Sequence, residues 1–189
     1  MCRIRHMKTQ IEKIKLKYMD KYGLSEEQAN DKLVFCKHNN KLLVGMAFCD
    51  KSVQDQNFYL FEADQVDCLY NTPIAQIKFL DDNKPTMFIR RLEFVNDKYK
   101  GKGYATSLIK CFEAYCKNNG LEQLTGELIP LHGEQPNKVE KFYLKNGYKI
   151  SLDQNNQKHI SKSIKNLEVV KLGKVRFVDN TKKAEEIVL

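Results

Sequence analysis

The sequence predicts a mixed α+β fold, in which helices flank a central, mostly antiparallel sheet of about six to seven strands. Three features of the 189-residue chain support this. An amphipathic helical pattern opens the chain, paired apolar runs joined by polar turns follow it, and the second half alternates strand and helix patterns. Since this length suits one complete core, residues 1–165 are assigned to a single domain. Residues 166–189 form a C-terminal extension whose strand-like pieces the sequence does not place.

Two helices are predicted at the N-terminal end. In residues 9–22 apolar side chains recur on one helical face, and Thr9 with Glu12 forms a capping-box pattern. Ser25 with Gln28 repeats that pattern and opens a second, short helix. Both helices therefore begin at defined residues.

Two hairpins are predicted next, so the first half of the sheet is expected to be antiparallel. The run LVFCKHNNKLLVGMAF has the pattern of two strands around a turn at Asn39 and Asn40. After the apolar run NFYLFEA, a second hairpin extends from IAQIKFL through DDNKP into TMFIRRLEFV.

The last of these strands carries alternating residue types up to its end at Val95. Uninterrupted alternation places Glu93 with Arg91 and Val95 on one face of the strand. The opposite face would carry Phe88, Leu92 and Phe94.

The second half of the chain alternates strands and helices. After Val95 comes the basic glycine turn KYKGKG, and then a helix with an apolar face over residues 104–116. LEQLTGELI follows as a strand, PLHGEQ as a loop and PNKVEKFYLKNG as a short helix that turns Val139, Phe142 and Tyr143 inward. YKISL and HISKSI have the pattern of a final hairpin.

Composition and charge exclude several classes of protein. With 42% hydrophobic residues, 30% charged residues and LLVGMAF as its longest apolar run, the chain is expected to be cytoplasmic and without a membrane span. Its six cysteines form no CxxC pair and its four histidines are scattered, so we predict reduced core thiols and no metal site. The net charge of +8 favours an anionic partner, although lysines spread along the whole chain are also typical of a solvated surface.

The glycine turn has the elements of an anion cradle, because the amides of the turn and the dipole of the following helix attract negative charge. Two nucleotide motifs fit it poorly. In a phosphate-binding loop the lysine is followed by Ser or Thr, whereas Lys102 is followed by Gly103. A dinucleotide fingerprint needs a third glycine where this chain has Thr106, and the preceding strands form hairpins rather than a βαβ unit.

The turn sequence KGKGYA resembles the R/Q-x-x-G-x-G/A motif of the GNAT superfamily of N-acetyltransferases. Lys100, Gly103 and Ala105 are in register, with Lys100 where the family usually has Arg or Gln. The resemblance implies that backbone amides hold the diphosphate of the co-substrate acetyl-coenzyme A, and that a side chain on Gly103 would occupy the space of the phosphate. The residues implied in this cradle are Lys100, Gly101, Lys102, Gly103, Tyr104, Ala105 and Thr106.

A second motif lies downstream. NKVEKFYLKNGYKI resembles the family's N-x-x-A-x-x-F-Y sequence followed by a helix end and G-F or G-Y. The residues in register are Asn137, Phe142, Tyr143, Gly147 and Tyr148, whereas Glu140 replaces the usual alanine. The two motifs span residues 87–150, and Asn137 joins the implied coenzyme-binding residues.

The resemblance implies a GNAT acyl-CoA N-acyltransferase fold and a direct transfer reaction. In such folds the strands ending near Val95 and Ile129 splay apart, and the pantetheine arm lies between them against the main chain of Phe94 and Val95. The unpaired amides there also face the oxygen on which charge develops. The expected reaction is attack by a neutral primary amine on acetyl-coenzyme A in a ternary complex. The alternative is a non-catalytic module that binds acyl-coenzyme A or nucleic acid.

Two residues are predicted to move protons. Tyr143 matches the position where the family often has a general acid for the leaving thiolate, and packing of the inward helix face is the alternative. Glu93 is the predicted general base, and a structural pairing with Arg91 is the alternative. Further base candidates are Glu127, His132 and Glu134.

The sequence leaves the acceptor amine open. By resemblance, residues 9–31 and the segments FEADQVD and PLHGEQ shape its site. Glu62, Asp64 and Asp67 would attract a cationic amine, although a solvated acidic loop is the simpler interpretation. The acceptor is expected to be a small molecule, a polypeptide or, given the basic surface, an RNA-linked amine such as an aminoacyl-tRNA. A homodimer is also among the expected assemblies.

Overall fold

Helices lie on both faces of one large sheet in the computed structural model, which describes residues 2–48, 56–63, 73–83, 85–129, 135–172 and 175–179. The helices are α1 (Cys2–Tyr22), α2 (Glu26–Lys32), α3 (Tyr104–Asn118) and α4 (Pro136–Lys145). The strands are β1 (Leu33–His38), β2 (Lys41–Phe48), β3 (Gln56–Glu62), β4 (Ala75–Asn83), β5 (Thr86–Phe94), β6 (Gln123–Glu127), β7 (Lys149–Leu152), β8 (Lys158–Ser163), β9 (Val170–Leu172) and β10 (Val175–Asp179).

The sheet has the order β7-β8-β6-β5-β4-β3-β2-β1-β10-β9 and is antiparallel except at the pairs β5/β6 and β1/β10. This confirms the predicted mixed α+β fold with a mostly antiparallel sheet. The ten strands formed by the described residues exceed the prediction, and the two runs after residue 165 account for part of the excess. β10 pairs in parallel with β1, with Phe35 opposite Phe177, and β9 continues the sheet beyond β10.

Strand residues alternate between two apolar clusters, one on each face of the sheet. On the face that we call the α3 face, Phe112 of α3 packs against Phe58 and Phe79, at ring-centroid distances of 5.5 and 5.1 Å. On the opposite face, the α1 face, Ile11 and Tyr18 of α1 join the apolar side chains of β1, β2 and β3. The predicted apolar stripes of both helices are therefore the sides that are buried.

A β-bulge interrupts the pairing of β4 with β5. Phe79 pairs with Ile89 and Lys78 pairs with Arg91, so Arg90 is an extra residue on β5. Such a bulge bends its strand and increases the local twist. The bend lies where the ladder of β5 with its other neighbour, β6, comes to an end.

β5 and β6 separate after a short parallel ladder, which confirms the predicted splay. The ladder joins residues 86–89 to residues 123–126, whereas β5 continues to Phe94. At the last rung the strands approach closely, because a Cβ on Gly126 would lie only 2.4 Å from the carbonyl oxygen of Ile89. Beyond this rung, the outer part of β5 borders a gap.

The bulge also changes which side chains share a face of β5. Cross-strand pairing places Leu92 and Phe94 on the α3 face together with Ile89. Phe88 lies on the opposite face with Glu93. The predicted grouping of Phe88 with Leu92 and Phe94 is therefore wrong, because the extra residue shifts the alternation by one position.

Within the described part of the chain, no helix is long and apolar enough to cross a membrane. Cys36, Cys111 and Cys116 are buried free thiols, as predicted, and burial raises the pKa of the Cys111 thiol. The side chains of Cys2, Cys49 and Cys68 lie outside the described residues.

Candidate active site

The turn between β5 and α3 adopts a conformation that depends on glycine. A 3₁₀ turn at Asp97–Tyr99 is capped by Asn96, whose side-chain oxygen accepts a hydrogen bond from the Lys98 N–H at 3.0 Å. Gly101 and Gly103 have φ angles of 73° and 85°, in the left-handed region where other residues are strained. The chain therefore reverses within a few residues and enters α3 directly.

The start of α3 leaves amide groups without a partner inside the helix. The carbonyl of Gly103 accepts the N–H groups of Thr106 and Ser107 at 3.0 and 3.3 Å. The N–H groups of Tyr104 and Ala105 precede these bonds, and helix geometry supplies them no carbonyl. With the helix dipole, they favour an anion at this end. Since the amide of Thr106 is used within the helix, Thr106 would contact a ligand through its side chain.

A groove of about 570 Å³ is bounded by this turn, by the outer part of β5 and by α4. Its lining residues are Leu92, Phe94, Lys100, Gly101, Gly103, Ala105, Thr106, Gln135, Lys138, Val139, Phe142 and Tyr143. A concave site of this size suits a small-molecule ligand. The structure thus brings the turn of the first motif and the helix of the second motif to one site.

Some predicted site residues lie outside this lining. They are Glu93, Val95, Lys102, Tyr104 and Asn137. The lining residues that the predicted site did not include are Leu92, Gln135, Lys138, Val139 and Phe142. Val139 and Phe142 lie on the inward helical face that was predicted together with Tyr143, so this face was the signal that could have identified them.

The main chain of β5 directs polar groups into the gap left by β6. The N–H of Val95 donates to the carbonyl of Ile74 at 3.2 Å, so this amide is bound to the β4 side. Successive residues of an antiparallel strand direct their main-chain groups to alternate sides. Leu92 and Phe94 therefore direct theirs toward the gap, whereas the amide of Val95 does not.

Tyr143 is fixed in the wall of the groove. It is 7% exposed, and its ring packs edge-on against Phe142 and Tyr148 at centroid distances of 5.1 and 5.3 Å. Its carbonyl accepts the N–H groups of Asn146 and Tyr148, both at 3.0 Å. The hydrogen bonds at the C-terminal end of α4 fix the backbone of Tyr143, and the ring contacts orient its side chain.

A buried ion pair anchors the end of α4. Lys162 of β8 donates to both carboxylate oxygens of Glu113 at 2.8 Å and to the carbonyl of Asn146 at 2.7 Å. Glu113 is 2% exposed, and burial raises the pKa of its carboxyl group although Lys162 opposes that shift. Since Asn146 ends the helix that carries Tyr143, this pair positions the wall of the groove.

The comparison with protein families decides the class of the protein. A model described as the Acetyltransferase (GNAT) family matches residues 5–148, which include the in-register residues of both motifs and the lining of the groove. The chain belongs to this GNAT family. It is accordingly an N-acetyltransferase by family.

Several solved structures are similar to this GNAT chain. PaiA N-acetyltransferase from Thermoplasma acidophilum, in complex with coenzyme A, is 18% identical over 60% of this chain and 63% of that chain, with a TM-score of 0.46. An acetyltransferase of the GNAT family from Staphylococcus aureus is 9% identical over 60% and 71%, with a TM-score of 0.46. The spermidine/spermine N-acetyltransferase SpeG from Vibrio cholerae is 14% identical over 59% and 66%, with a TM-score of 0.43. No curated protein sequence matches the chain.

Glu93 of this GNAT chain is held by three neighbours on the α1 face. Arg91 Nε lies 2.9 Å and Lys78 Nζ 3.8 Å from its carboxylate, and Gln76 donates a further hydrogen bond. The Glu93 side chain is 19% exposed. This is the Arg91 pairing that the sequence left as the alternative to a general base.

The space beside Gly103 is filled by protein. A Cβ at this position would lie 3.0 Å from Cε1 of His38. The positive φ therefore favours glycine here, and a Cβ would also make a tight contact with the imidazole. The predicted reason, room for a phosphate, is not the contact that the structure shows.

Glu62 and Glu127, the other predicted acidic residues that the structure describes, do not line the groove. Glu62 accepts hydrogen bonds from Lys41 Nζ at 2.7 Å and from the Tyr104 hydroxyl at 3.3 Å, so it supports the turn. Glu127 is exposed at the end of β6 and, with Glu140, lines a second cavity of about 370 Å³. Asp64, Asp67, His132 and Glu134 lie outside the described residues. Among the residues that are described, no group of three or more His, Cys, Asp and Glu side chains is placed to hold a metal ion.

Proposed function

We propose that this chain transfers the acetyl group of acetyl-coenzyme A to a primary amine by direct attack in a ternary complex. The observation that carries the proposal is the shared groove, in which the left-handed glycine turn, the outer part of β5 and Tyr143 meet. A module that only binds the coenzyme needs the turn, but it does not need a tyrosine fixed in the opposite wall.

The turn suits the diphosphate of the coenzyme. The N–H groups of Tyr104 and Ala105 and the dipole of α3 supply fixed partial charge, and Lys100 and Lys138 line the same groove. Lys100 pairs with Asp97 at 2.9 Å, but both side chains are exposed, so this pair is weak and a diphosphate can replace the carboxylate. Because these lysines are exposed, salt is expected to weaken coenzyme binding.

The outer part of β5 suits the pantetheine arm. The amide groups of the pantetheine arm can form hydrogen bonds with the main chain of Leu92 and Phe94, in the gap that opens where β6 separates from β5. An N–H directed into the gap also stabilises negative charge that develops on the thioester oxygen. The co-substrate supplies the activated acyl group, and the chain supplies its placement.

The acceptor amine approaches from the α1 face, since the coenzyme groove lies on the α3 face of β5. Tyr59, Gln76 and Glu93 form a cross-strand row on that side. The attacking amine must be neutral, which costs about 4–5 kcal/mol at pH 7 for an amine with a pKa of about 10.4.

Of the two side chains predicted to move protons, only Tyr143 keeps that role in the proposal. Tyr143 is the proposed general acid that protonates the leaving thiolate, whose pKa in water is about 8.5. Glu93 already forms an ion pair with Arg91 and accepts a hydrogen bond from Gln76. We therefore assign Glu93 to shaping the acceptor side, and the proton of the amine passes to water.

A thiol-release assay tests the proposal. Purified protein is incubated with acetyl-coenzyme A and with small primary amines, peptides or aminoacyl-tRNA in turn. Release above the hydrolysis background with at least one class supports acetyl transfer. Coenzyme binding without release from any class would instead favour the non-catalytic module.

A salt titration of the same assay identifies an RNA-linked acceptor. If the protein contacted six phosphates, its affinity for aminoacyl-tRNA would fall about a thousandfold over a fourfold rise in salt. A small amine would show no such dependence. A cytoplasmic location and a homodimer stay predictions.

A further inference from the structure

His38, the last residue of β1, lies directly behind the glycine turn between β5 and α3. Its Nδ1 shares a hydrogen bond of 3.0 Å with Ser107 Oγ. Its ring lies 4.4 Å from the ring of Tyr104 at an interplanar angle of 34°. Its Cε1 lies 3.0 Å from the position that a Cβ on Gly103 would take. One imidazole therefore contacts three residues at the start of α3.

Tyr104 extends this support to two further strands. Its hydroxyl donates to Glu62 Oε1 at 3.3 Å, and Lys41 Nζ donates to the same carboxylate oxygen at 2.7 Å. Tyr99, inside the turn, packs edge-on against Tyr104 at 5.3 Å. The ends of β1, β2 and β3 thus hold the turn on the side opposite to the groove.

The pairing of His38 with Ser107 is not that of a base with a nucleophile. Ser107 is 1% exposed, so its hydroxyl cannot reach a substrate. Local hydrogen bonds restrain the first part of the turn, where Lys98 N–H donates to the Asn96 side chain and Lys100 N–H donates to the carbonyl of Asp97. The contacts with His38 restrain its last part, at Gly103 and Tyr104.

We propose that His38 is a positioning residue for the coenzyme, which fixes the backbone of Gly103 and Tyr104 so that the amides of the turn are preorganised for the diphosphate. This inference rests on the proposed function, since it concerns the same site. Preorganisation raises affinity by removing the cost of ordering from the binding step. The imidazole contacts the turn from the side away from the groove. Its loss therefore weakens coenzyme binding but leaves the turnover at saturating coenzyme nearly unchanged.

Two substitutions of His38 test the proposal. His38→Ala removes both the hydrogen bond and the ring, whereas His38→Asn keeps a polar atom near the position of Nδ1 and removes only the ring. The dissociation constant of coenzyme A, measured by calorimetry, is expected to rise about tenfold in the first variant and about threefold in the second. The kcat at saturating acetyl-coenzyme A is expected to stay within about twofold of the native value.

His159 provides a matched control. It is also a half-buried histidine with one side-chain hydrogen bond, to Asp153 at 3.2 Å, but it lies on β8. His159→Ala is expected to leave both the coenzyme affinity and the kcat unchanged. A similar loss of affinity in this variant would overturn the assignment to His38.

The remaining outcomes also decide the question. Unchanged coenzyme affinity in His38→Ala would overturn the proposal even if the melting temperature fell, because that is the result of a purely structural role. A lower kcat with unchanged affinity would overturn it as well. If His38→Ala does not fold, Ser107→Ala takes its place: a rise in the dissociation constant of about threefold supports the proposal, and no rise overturns it.

Measurements of coenzyme binding and acetyl transfer by the wild-type protein distinguish a failure of this inference from a failure of the proposed function. Coenzyme binding without acetyl transfer to any amine would end the proposed function and leave the His38 proposal to be judged by calorimetry. A wild-type protein that does not bind coenzyme A would overturn both.

Discussion

The two faces of the sheet hold ion pairs of opposite character. On the α3 face, Glu113 is 2% exposed and its partner Lys162 is 20% exposed, and the pair reaches the end of α4. On the α1 face, Glu93 is paired with Arg91, which is 46% exposed. Water can replace a lost partner at the exposed pair, but it cannot do so at the buried one. The proposed coenzyme groove is therefore bordered by a buried carboxylate pair, and the proposed acceptor side by a more exposed one.

The largest expected effect comes from breaking the buried pair. Lys162→Met leaves the carboxylate of Glu113 without its cation, so we expect a loss of about 3–5 kcal/mol in the free energy of unfolding, measured with urea. The matched control, Lys78→Met, removes an exposed cation near Glu93 and is expected to cost less than about 1 kcal/mol. Equal losses in the two variants would show that burial does not separate the two faces.

The second prediction concerns the wall that this pair positions. Tyr143→Phe removes only the proposed acid, so turnover is expected to fall about ten- to a thousandfold while the affinity for coenzyme A stays the same. Tyr148→Phe removes a hydroxyl from the same aromatic group and is expected to leave turnover unchanged. If Tyr143→Phe kept the native rate, Tyr143 would be a packing residue only.

The third prediction concerns the exposed face. Since Glu93 is paired with Arg91, Glu93→Gln is expected to change the rate by less than about threefold, to keep the pH–rate profile and to cost at most about 1 kcal/mol of stability. Rate measurements across the pH range check this. A loss of rate confined to low pH would restore Glu93 as the general base, because fewer acceptor amines are neutral there.

The smallest effect is on the pH dependence of stability. Burial raises the pKa of Glu113 above its ordinary value of 4.5, so just above that pH the folded state binds more protons than the unfolded state. The contribution of this group to stability is therefore greatest at low pH and decreases as the pH rises through the raised pKa. Glu113→Gln removes this contribution, so its unfolding free energy should decline less over that range than that of the native protein. Parallel curves for the two proteins would contradict the raised pKa.

Much of the candidate site's local structure could be predicted because its signals are local. The turn needs glycine at positions 101 and 103, and the positive φ angles there show why. The apolar faces of α3 and α4 follow from helical spacing, which placed Phe142 and Tyr143 on one side. These features depend on residues within one or two turns of each other.

The α1 face of β5 was predicted less well because its arrangement depends on partners far away in the chain. The bulge at Arg90 is visible only in the pairing of β5 with β4, and it reversed the expected face of Phe88. The neighbours Gln76 and Lys78, which hold Glu93, come from β4 and carry no pattern that marks them.

The sequence by itself determined the fold class, the glycine turn and the helix that carries Tyr143, because backbone conformation and amphipathic spacing depend on neighbouring residues. Only the tertiary structure decided that His38 supports Gly103, that Lys162 neutralises Glu113 and that β10 pairs with β1. These contacts join residues separated by dozens of positions, and such pairs form only when the strands and helices pack in one particular arrangement.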